Sequence, residues 1–140
     1  MAGQFIDTFW RKSFIGDLRR ARKISENENQ WSLMYDGKTH QFQYVWLQGL
    51  CIKIDKNADL MIIEDATGQA ELQKCSRAVD AWSTKEGDYL MTAGKLLNTN
   101  SSDRIIVDTY KIQCFKTLSK QEINWPFEVV DISQRVYHYY

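Results

Sequence analysis

Tyr44-Val-Trp-Leu-Gln-Gly-Leu-Cys-Ile-Lys-Ile54 is the stretch whose reading decides the fold. It is a long apolar run of β-favouring residues with Gly49 near its middle, and a glycine inside a strand marks a bulge or a sharp bend. Outward from it, Asp55-Lys-Asn-Ala-Asp59 reads as a turn and Leu60-Met-Ile-Ile63 as a short buried strand. Glu64-Asp-Ala-Thr-Gly68 reads as a tight turn, because Asp, Thr and Gly satisfy or relax the local backbone. Gln69 to Cys75 makes a third strand. The longer stretch Ser76 to Glu86 has room for one short helix around Val79-Asp-Ala-Trp82. Asp88 to Leu97, with an internal Gly94, is a fourth strand. The polar turn Asn98-Thr-Asn-Ser-Ser-Asp103 then leads into a fifth, Arg104 to Phe115.

Five strands, a helix-sized connector between the third and fourth, and a bend in the first predict an all-β chain with flanking helices. The architecture that fits is a five-stranded OB-fold barrel with an N-terminal helix and a C-terminal helix. The bend matters because one strand must serve both sheets to close so small a barrel. An SH3-like barrel or a generic β-sandwich is the alternative, and the long connector before Asp88 favours the OB-fold. Residues 1–24 form a separate basic segment, six cations against Asp7 and Asp17, so the remaining chain carries −4. Within it Phe14, Leu18 and Ala21, with Ile15 beside them, recur at helical spacing and predict a short amphipathic helix. Ser25 to Gln30 reads as a polar loop, and residues 25–140 form the OB-fold domain.

The C-terminal element, about residues 121–138, lacks strand alternation and holds the chain's one proline, Pro126, near a helix start after Asn124. At ~100° per residue, Ile123, Phe127, Val130 and Tyr137 share one arc. Trp125, Val129, Ile132 and Val136 share another, roughly opposite. The apolar surface is about twice the ~100° stripe that a helix packed only on its own barrel needs. One stripe is therefore expected to cap the barrel and the other to dock on a partner, since a contiguous exposed apolar patch marks an interface. Burial of both stripes within the chain, or a homodimer, satisfies the same pattern.

Composition narrows the function classes. The chain has 140 residues, 18 Lys+Arg against 18 Asp+Glu and a pI near 6.7, whereas a dedicated nucleic-acid binder shows a basic excess. Five Trp, seven Tyr and six Phe describe a ring-rich globular domain, not a disordered or low-complexity one. Cys51, Cys75 and Cys114 are an odd number without a C-x-x-C spacing, and with His40 and His138 they make no local zinc motif; no metal or cofactor is expected. Scattered thiols, no secretory leader and no membrane span lead us to expect a soluble intracellular protein. An OB-fold binds single strands by stacking bases on strands 2 and 3, yet neither of those strands has a ring here. Weak or no direct DNA binding is expected, with the basic N-terminal segment as the place where phosphates could be met. Nothing in the spacing of Glu64, Asp65, the histidines or Cys51 composes a catalytic site, and a non-enzyme is expected.

The strand-and-helix string resembles the family of RecQ-mediated genome instability protein 2, the small OB-fold subunit of the RMI complex. Val45-Trp-Leu-Gln-Gly49, Ile63-Glu-Asp-Ala-Thr-Gly68, Gly87-Asp-Tyr-Leu-Met-Thr-Ala-Gly94, Tyr110-Lys-Ile112 and Trp125-Pro-Phe-Glu-Val-Val-Asp131 carry the resemblance. It covers the chain from about residue 12. Residues 1–10 and the tail Tyr137-His-Tyr-Tyr140 have no counterpart in the family's pattern. The resemblance implies a nuclear scaffold subunit that pairs with an OB domain at the C-terminus of the larger RMI subunit. Through that subunit it implies topoisomerase III and a RecQ helicase, with dissolution of recombination intermediates as the task. In some lineages the paired OB domains also receive a peptide from a Fanconi-pathway helicase. Trp125 and Lys111 match family positions associated with partner docking, so the expected partner-binding set is Lys111, Trp125, Val129, Ile132 and Val136. A single-stranded DNA-binding subunit similar to the middle or small subunit of replication protein A is the alternative.

Overall fold

The computed structural model describes residues 10–25, 30–35, 37–99 and 104–115. In chain order the elements are β1 (Trp10–Lys12), α1 (Ile15–Leu18), β2 (Arg22–Ser25), β3 (Gln30–Tyr35), β4 (Lys38–Phe42), β5 (Tyr44–Asp55), β6 (Leu60–Asp65), β7 (Gly68–Gln73), β8 (Tyr89–Asn98) and β9 (Arg104–Phe115). Strands β5, β6, β7, β9 and β8 hydrogen-bond in that order, and β8 returns to β5. The result is the closed five-stranded OB barrel expected from the sequence. The expected C-terminal helix, about 121–138, lies outside the described residues.

The bend in β5 does what its glycine foretold. Tyr44 to Leu50 pair with β8, Leu50 to Asp55 pair with β6, and Leu50 faces both. At this handover a Cβ on Gly49 would lie 2.8 Å from the Glu64 carbonyl oxygen, so only a residue without a side chain lets the two strands approach. Gly94 plays the same part on β8, against the Asp108 carbonyl and Val107. Alternate residues of the barrel strands then point inward: Val45, Leu47, Cys51, Met61, Ile63, Ala70, Leu72, Leu90, Leu96, Ile105 and Val107 form the core.

Two features depart from the sequence expectation. The helix expected over Phe14 to Ala21 is one turn, Ile15–Leu18, and it tightens through bonds from the amides of Arg19, Arg20 and Ala21 to the carbonyls of Gly16, Asp17 and Leu18. Its apolar positions still serve their purpose, because Ile15, Leu18 and Ala21 are buried in the core cluster. The helix expected near Val79–Trp82 is instead two short 3-10 turns, Cys75–Arg77 and Ala81–Ser83. Asp80 sits at φ 58° and Lys74 at φ 57°, left-handed positions that interrupt any continuous helix. Cys75, Ala78 and Ala81 point into the core from this connector.

Ser25 and Gln30, the ends of the expected polar loop, belong to β2 and β3, and the stretch 31–42, left unassigned in the sequence reading, supplies the rest of β3 and β4; β2, β3 and β4 make an antiparallel three-stranded sheet. Its inner face, Trp31, Leu33, His40 and Phe42, is buried. The Trp31 indole N–H donates to the Leu96 carbonyl at 2.9 Å, fastening this sheet to the barrel. Arg11 is only 1% exposed, with its guanidinium 3.1 Å from His40 Nδ1 and 5.9 Å from the Phe42 ring.

Candidate functional site

A four-residue helix does not persist in water without tertiary support, and here the Asp65-Ala-Thr-Gly68 turn supplies it. Asp65 Oδ1 accepts from the Thr67 and Gly68 amides at 2.7 and 3.0 Å and from the Thr67 hydroxyl at 2.6 Å. Oδ2 accepts from the Ile15 amide at 2.9 Å, and Thr67 Oγ1 accepts from the Gly16 amide at 2.8 Å. The turn therefore caps α1 from fifty residues away in sequence. Asp65 is engaged in holding backbone.

The barrel face that holds single strands in other OB-folds is built differently here. Strands β6 and β7 carry no ring. Their outward positions include Glu64, which is exposed, and Glu71, which accepts from Gln73 at 2.8 Å and lies 4.0 Å from Arg104. In the loop between β5 and β6, Asp55 accepts from the Ala58 amide and Asp59 from the amide and hydroxyl of Ser76. Lys53 and Lys56 are exposed beside these carboxylates, but with no ring on β6 or β7 the face has no platform for stacking bases.

Rings gather on another face. The outward positions of β5, β8 and β9 line up in rows across three strands: Leu50–Tyr89–Phe115, Gln48–Met91–Gln113, Trp46–Ala93–Lys111. Tyr44 lies beyond, and β1, parallel to β5, adds Trp10 beside it. Trp10 stacks on Tyr44 at 4.6 Å and meets Trp46 edge-on at 5.8 Å; Tyr44 lies 5.9 Å from Tyr110, over which Arg77 sits at 5.2 Å. Arg77 is held by an ion pair with Asp108. At the other end Tyr89 stacks with Phe115 at 6.2 Å and donates its hydroxyl to Gln48 at 2.8 Å.

A β-bulge shapes the centre of this face. Ala93 faces Lys111 and Gly94 faces Thr109, so Tyr110 is the extra residue. The bulge leaves both Tyr110 and Lys111 exposed, Tyr110 by 39%, while the buried Thr92 hydroxyl donates to the Lys111 carbonyl at 2.9 Å and pins the backbone. Lys111, singled out from the sequence, thus stands among Trp46, Tyr110 and Ala93. The other expected docking residues, Trp125, Val129, Ile132 and Val136, lie outside the described residues. Sequence reasoning missed Trp10, Tyr44, Trp46 and Tyr110. The alternation of Tyr44, Trp46, Gln48 and Leu50 along one strand was the available signal for two of them, Tyr44 and Trp46.

Burial, the largest cause in each case, pushes the Cys51 thiol up to about 11 and that of Cys75 up to about 12. Both are protonated near neutrality and so unreactive as nucleophiles. Among the described residues no group of three or more His, Cys, Asp or Glu is placed to hold a metal ion, and no helix is long and apolar enough to cross a membrane.

Comparison with known proteins places this geometry. The family model described as RecQ-mediated genome instability protein 2 matches residues 11–133. No curated protein matches the sequence. Among solved structures, a chain of a replication protein A heterotrimer bound to single-stranded DNA superposes with a TM-score of 0.68 at 18% identity, covering 91% of this chain and 97% of that one. A chain of the S. pombe Stn1–Ten1 complex gives 0.65 at 14%, covering 92% and 94%, and one of yeast replication protein A bound to single-stranded DNA gives 0.60 at 20%, covering 89% of each. At these identities the likeness is one of fold.

Proposed function

The chain belongs to the family of RecQ-mediated genome instability protein 2, and from that premise we propose that it is a non-catalytic OB-fold scaffold in a nuclear RecQ helicase–topoisomerase III–RMI complex. In this reading it pairs with the C-terminal OB domain of the larger RMI subunit. The pair supports dissolution of double Holliday junctions, and with it DNA repair and genome stability. A peptide from a Fanconi-pathway helicase is a further partner of the assembled pair.

One observation carries the reading: rings are concentrated on the outer face of β5, β8 and β9, around Lys111, while β6 and β7 have none of the rings a single strand would stack on. Aromatic anchors with Arg or Lys beside them are what the centre of a protein interface needs. That face is continuous with Phe115, from which the chain leads into residues 121–138, so the proposed docking set joins Lys111 to Trp125, Val129, Ile132 and Val136. The barrel positions the surface. No bond is made or broken by it.

Co-purification of the larger RMI subunit's C-terminal OB domain tests this, using Lys111→Glu and Trp125→Ala separately. Truncating a buried anchor tryptophan costs about 2 kcal/mol or more of binding, so affinity should fall at least ~30-fold. Unchanged association in both variants would sink the proposed surface. Submicromolar affinity of the isolated chain for oligo-dT, lost when Lys53 and Lys56 are reversed, would favour a single-strand-binding subunit instead.

A further inference from the structure

The small three-stranded sheet has a second face, turned away from the barrel, which takes no part in the docking surface. Strand register places Arg22, Ser32 and Gln41 in one row across it and Met34 and Thr39 in the next. Arg22, Gln41, Met34 and Thr39 are exposed, in contrast to the buried Trp31, Leu33, His40 and Phe42 behind them. The chain enters this sheet through a turn that exposes Arg19 and Arg20, and Lys23 follows on the edge strand, exposed and 5.8 Å from the Trp31 ring. Asp17 meets Arg20 at 3.1 Å in an exposed pair. Four cations thus fall within five consecutive residues, with Arg22 on this face and Lys23, opposite Trp31, reaching out past the sheet edge from the other.

We propose that this face and the Arg19–Lys23 ridge contact the phosphate backbone of a nucleic acid. Arg, Lys, Ser, Thr and Gln are the side chains that donate to phosphate oxygens, and across three strands they span about 10 Å. Among its described residues the face has no aromatic anchor of the kind a protein interface uses and no continuous apolar stripe like that of a membrane-lying helix. With no base-reading platform beside it, the contact is electrostatic and insensitive to sequence. If all four ridge cations neutralise phosphates, log K falls with log salt at a slope of about −3.6 on duplex and about −2.8 on a single strand. From 50 to 200 mM salt those slopes give a loss of roughly 150-fold and 50-fold. Such binding is weak at physiological salt and adds to an assembled complex, where the partner supplies the rest. It stands independently of the docking surface proposed above.

The test is fluorescence anisotropy of the full chain against a labelled 30-nucleotide oligo-dT and a 30-base-pair duplex at several salt concentrations. Arg22→Glu with Lys23→Glu is compared with Lys53→Glu with Lys56→Glu, which changes net charge equally on the conventional OB face. The first pair should weaken both probes at least ~10-fold at 50 mM and roughly halve the slope, whereas the second should change affinity less than ~3-fold. Arg19→Gln with Arg22→Gln, checked by thermal melt for an intact fold, should reduce the slope in the same direction. Equal loss from both reversal pairs, greater loss from the Lys53 and Lys56 pair, or binding to phosphatidylserine vesicles without binding to either oligonucleotide overturns the proposal.

Discussion

Removing the Asp65 carboxylate should uncouple the N-terminal segment from the barrel. Asp65→Ala deletes the acceptor of four hydrogen bonds: three that form the turn and one from the Ile15 amide that caps α1. Losing a helix cap costs about 1 kcal/mol. Each turn bond, partly exposed to water that replaces it, adds roughly 0.5–1 kcal/mol. The sum is on the order of 3 kcal/mol, or a fall of about 10 °C in Tm for a chain of this size. Asp65→Asn keeps one oxygen for the turn but points an amide donor at Ile15, so about half that loss is expected. Urea unfolding of the full chain measures both variants, and hydrogen exchange should show the Ile15 and Gly16 amides losing protection before the barrel does. A double-mutant cycle with Thr67→Ala should return a coupling of at least ~0.5 kcal/mol, because both residues hold the same helix end. Should Asp65→Ala remain within ~0.5 kcal/mol of the parent, the capping role assigned to this turn is refuted.

Other expectations follow from single contacts. Gly94→Ala forces a Cβ against the Asp108 carbonyl and Val107, and a destabilisation of about 2–4 kcal/mol in urea unfolding is expected. Trp31→Phe keeps the ring but loses the bond to the Leu96 carbonyl, leaving a buried acceptor unpaired at a cost of about 1–2 kcal/mol. The raised thiols give a pH dependence of definite sign: the unfolded chain releases these protons near pH 9, the native one only toward about 11 for Cys51 and about 12 for Cys75. Their contribution is complete below pH 9 and declines from there upward, so a Cys51→Ala, Cys75→Ala variant should show a shallower alkaline loss of stability than the parent. A thiol-reactive dye at pH 8 should accordingly label at most one of the three cysteines rapidly in the native protein and all three in denaturant.

The barrel was legible because its signals are local. Four of the five strands hold an apolar run, β7 alternates Gln-Ala-Glu-Leu-Gln, all are bounded by turn residues, and Gly49 and Gly94 mark where strands must bend or close up. The small sheet was not legible. Gln30 to Phe42 alternates only partly, and its strands have no core of their own until Trp31, Leu33, His40 and Phe42 are set against the barrel and Arg11. The helices were misjudged in length for the same reason, since periodicity shows which residues face inward but not how far a hydrogen-bond ladder runs. Ile15, Leu18 and Ala21 were read to the core, and only the turn at Asp65 and Thr67 decides that one helical turn suffices.

The proposed docking surface divides likewise. From one dimension Lys111 could be named by its resemblance to a family position, and the lack of rings on β6 and β7 could be read directly. Sequence by itself therefore determined the fold class, the family and the side of the barrel unsuited to stacking bases. Only the tertiary structure brought Trp10, Tyr44, Trp46 and Tyr110 beside Lys111. Those residues are separated by up to a hundred positions, and they meet because β1 lies parallel to β5, β8 pairs with both β5 and β9, and a single bulged residue turns Tyr110 outward. Strand register and closure are non-local: they follow from which edges find one another, and no window of sequence contains both partners.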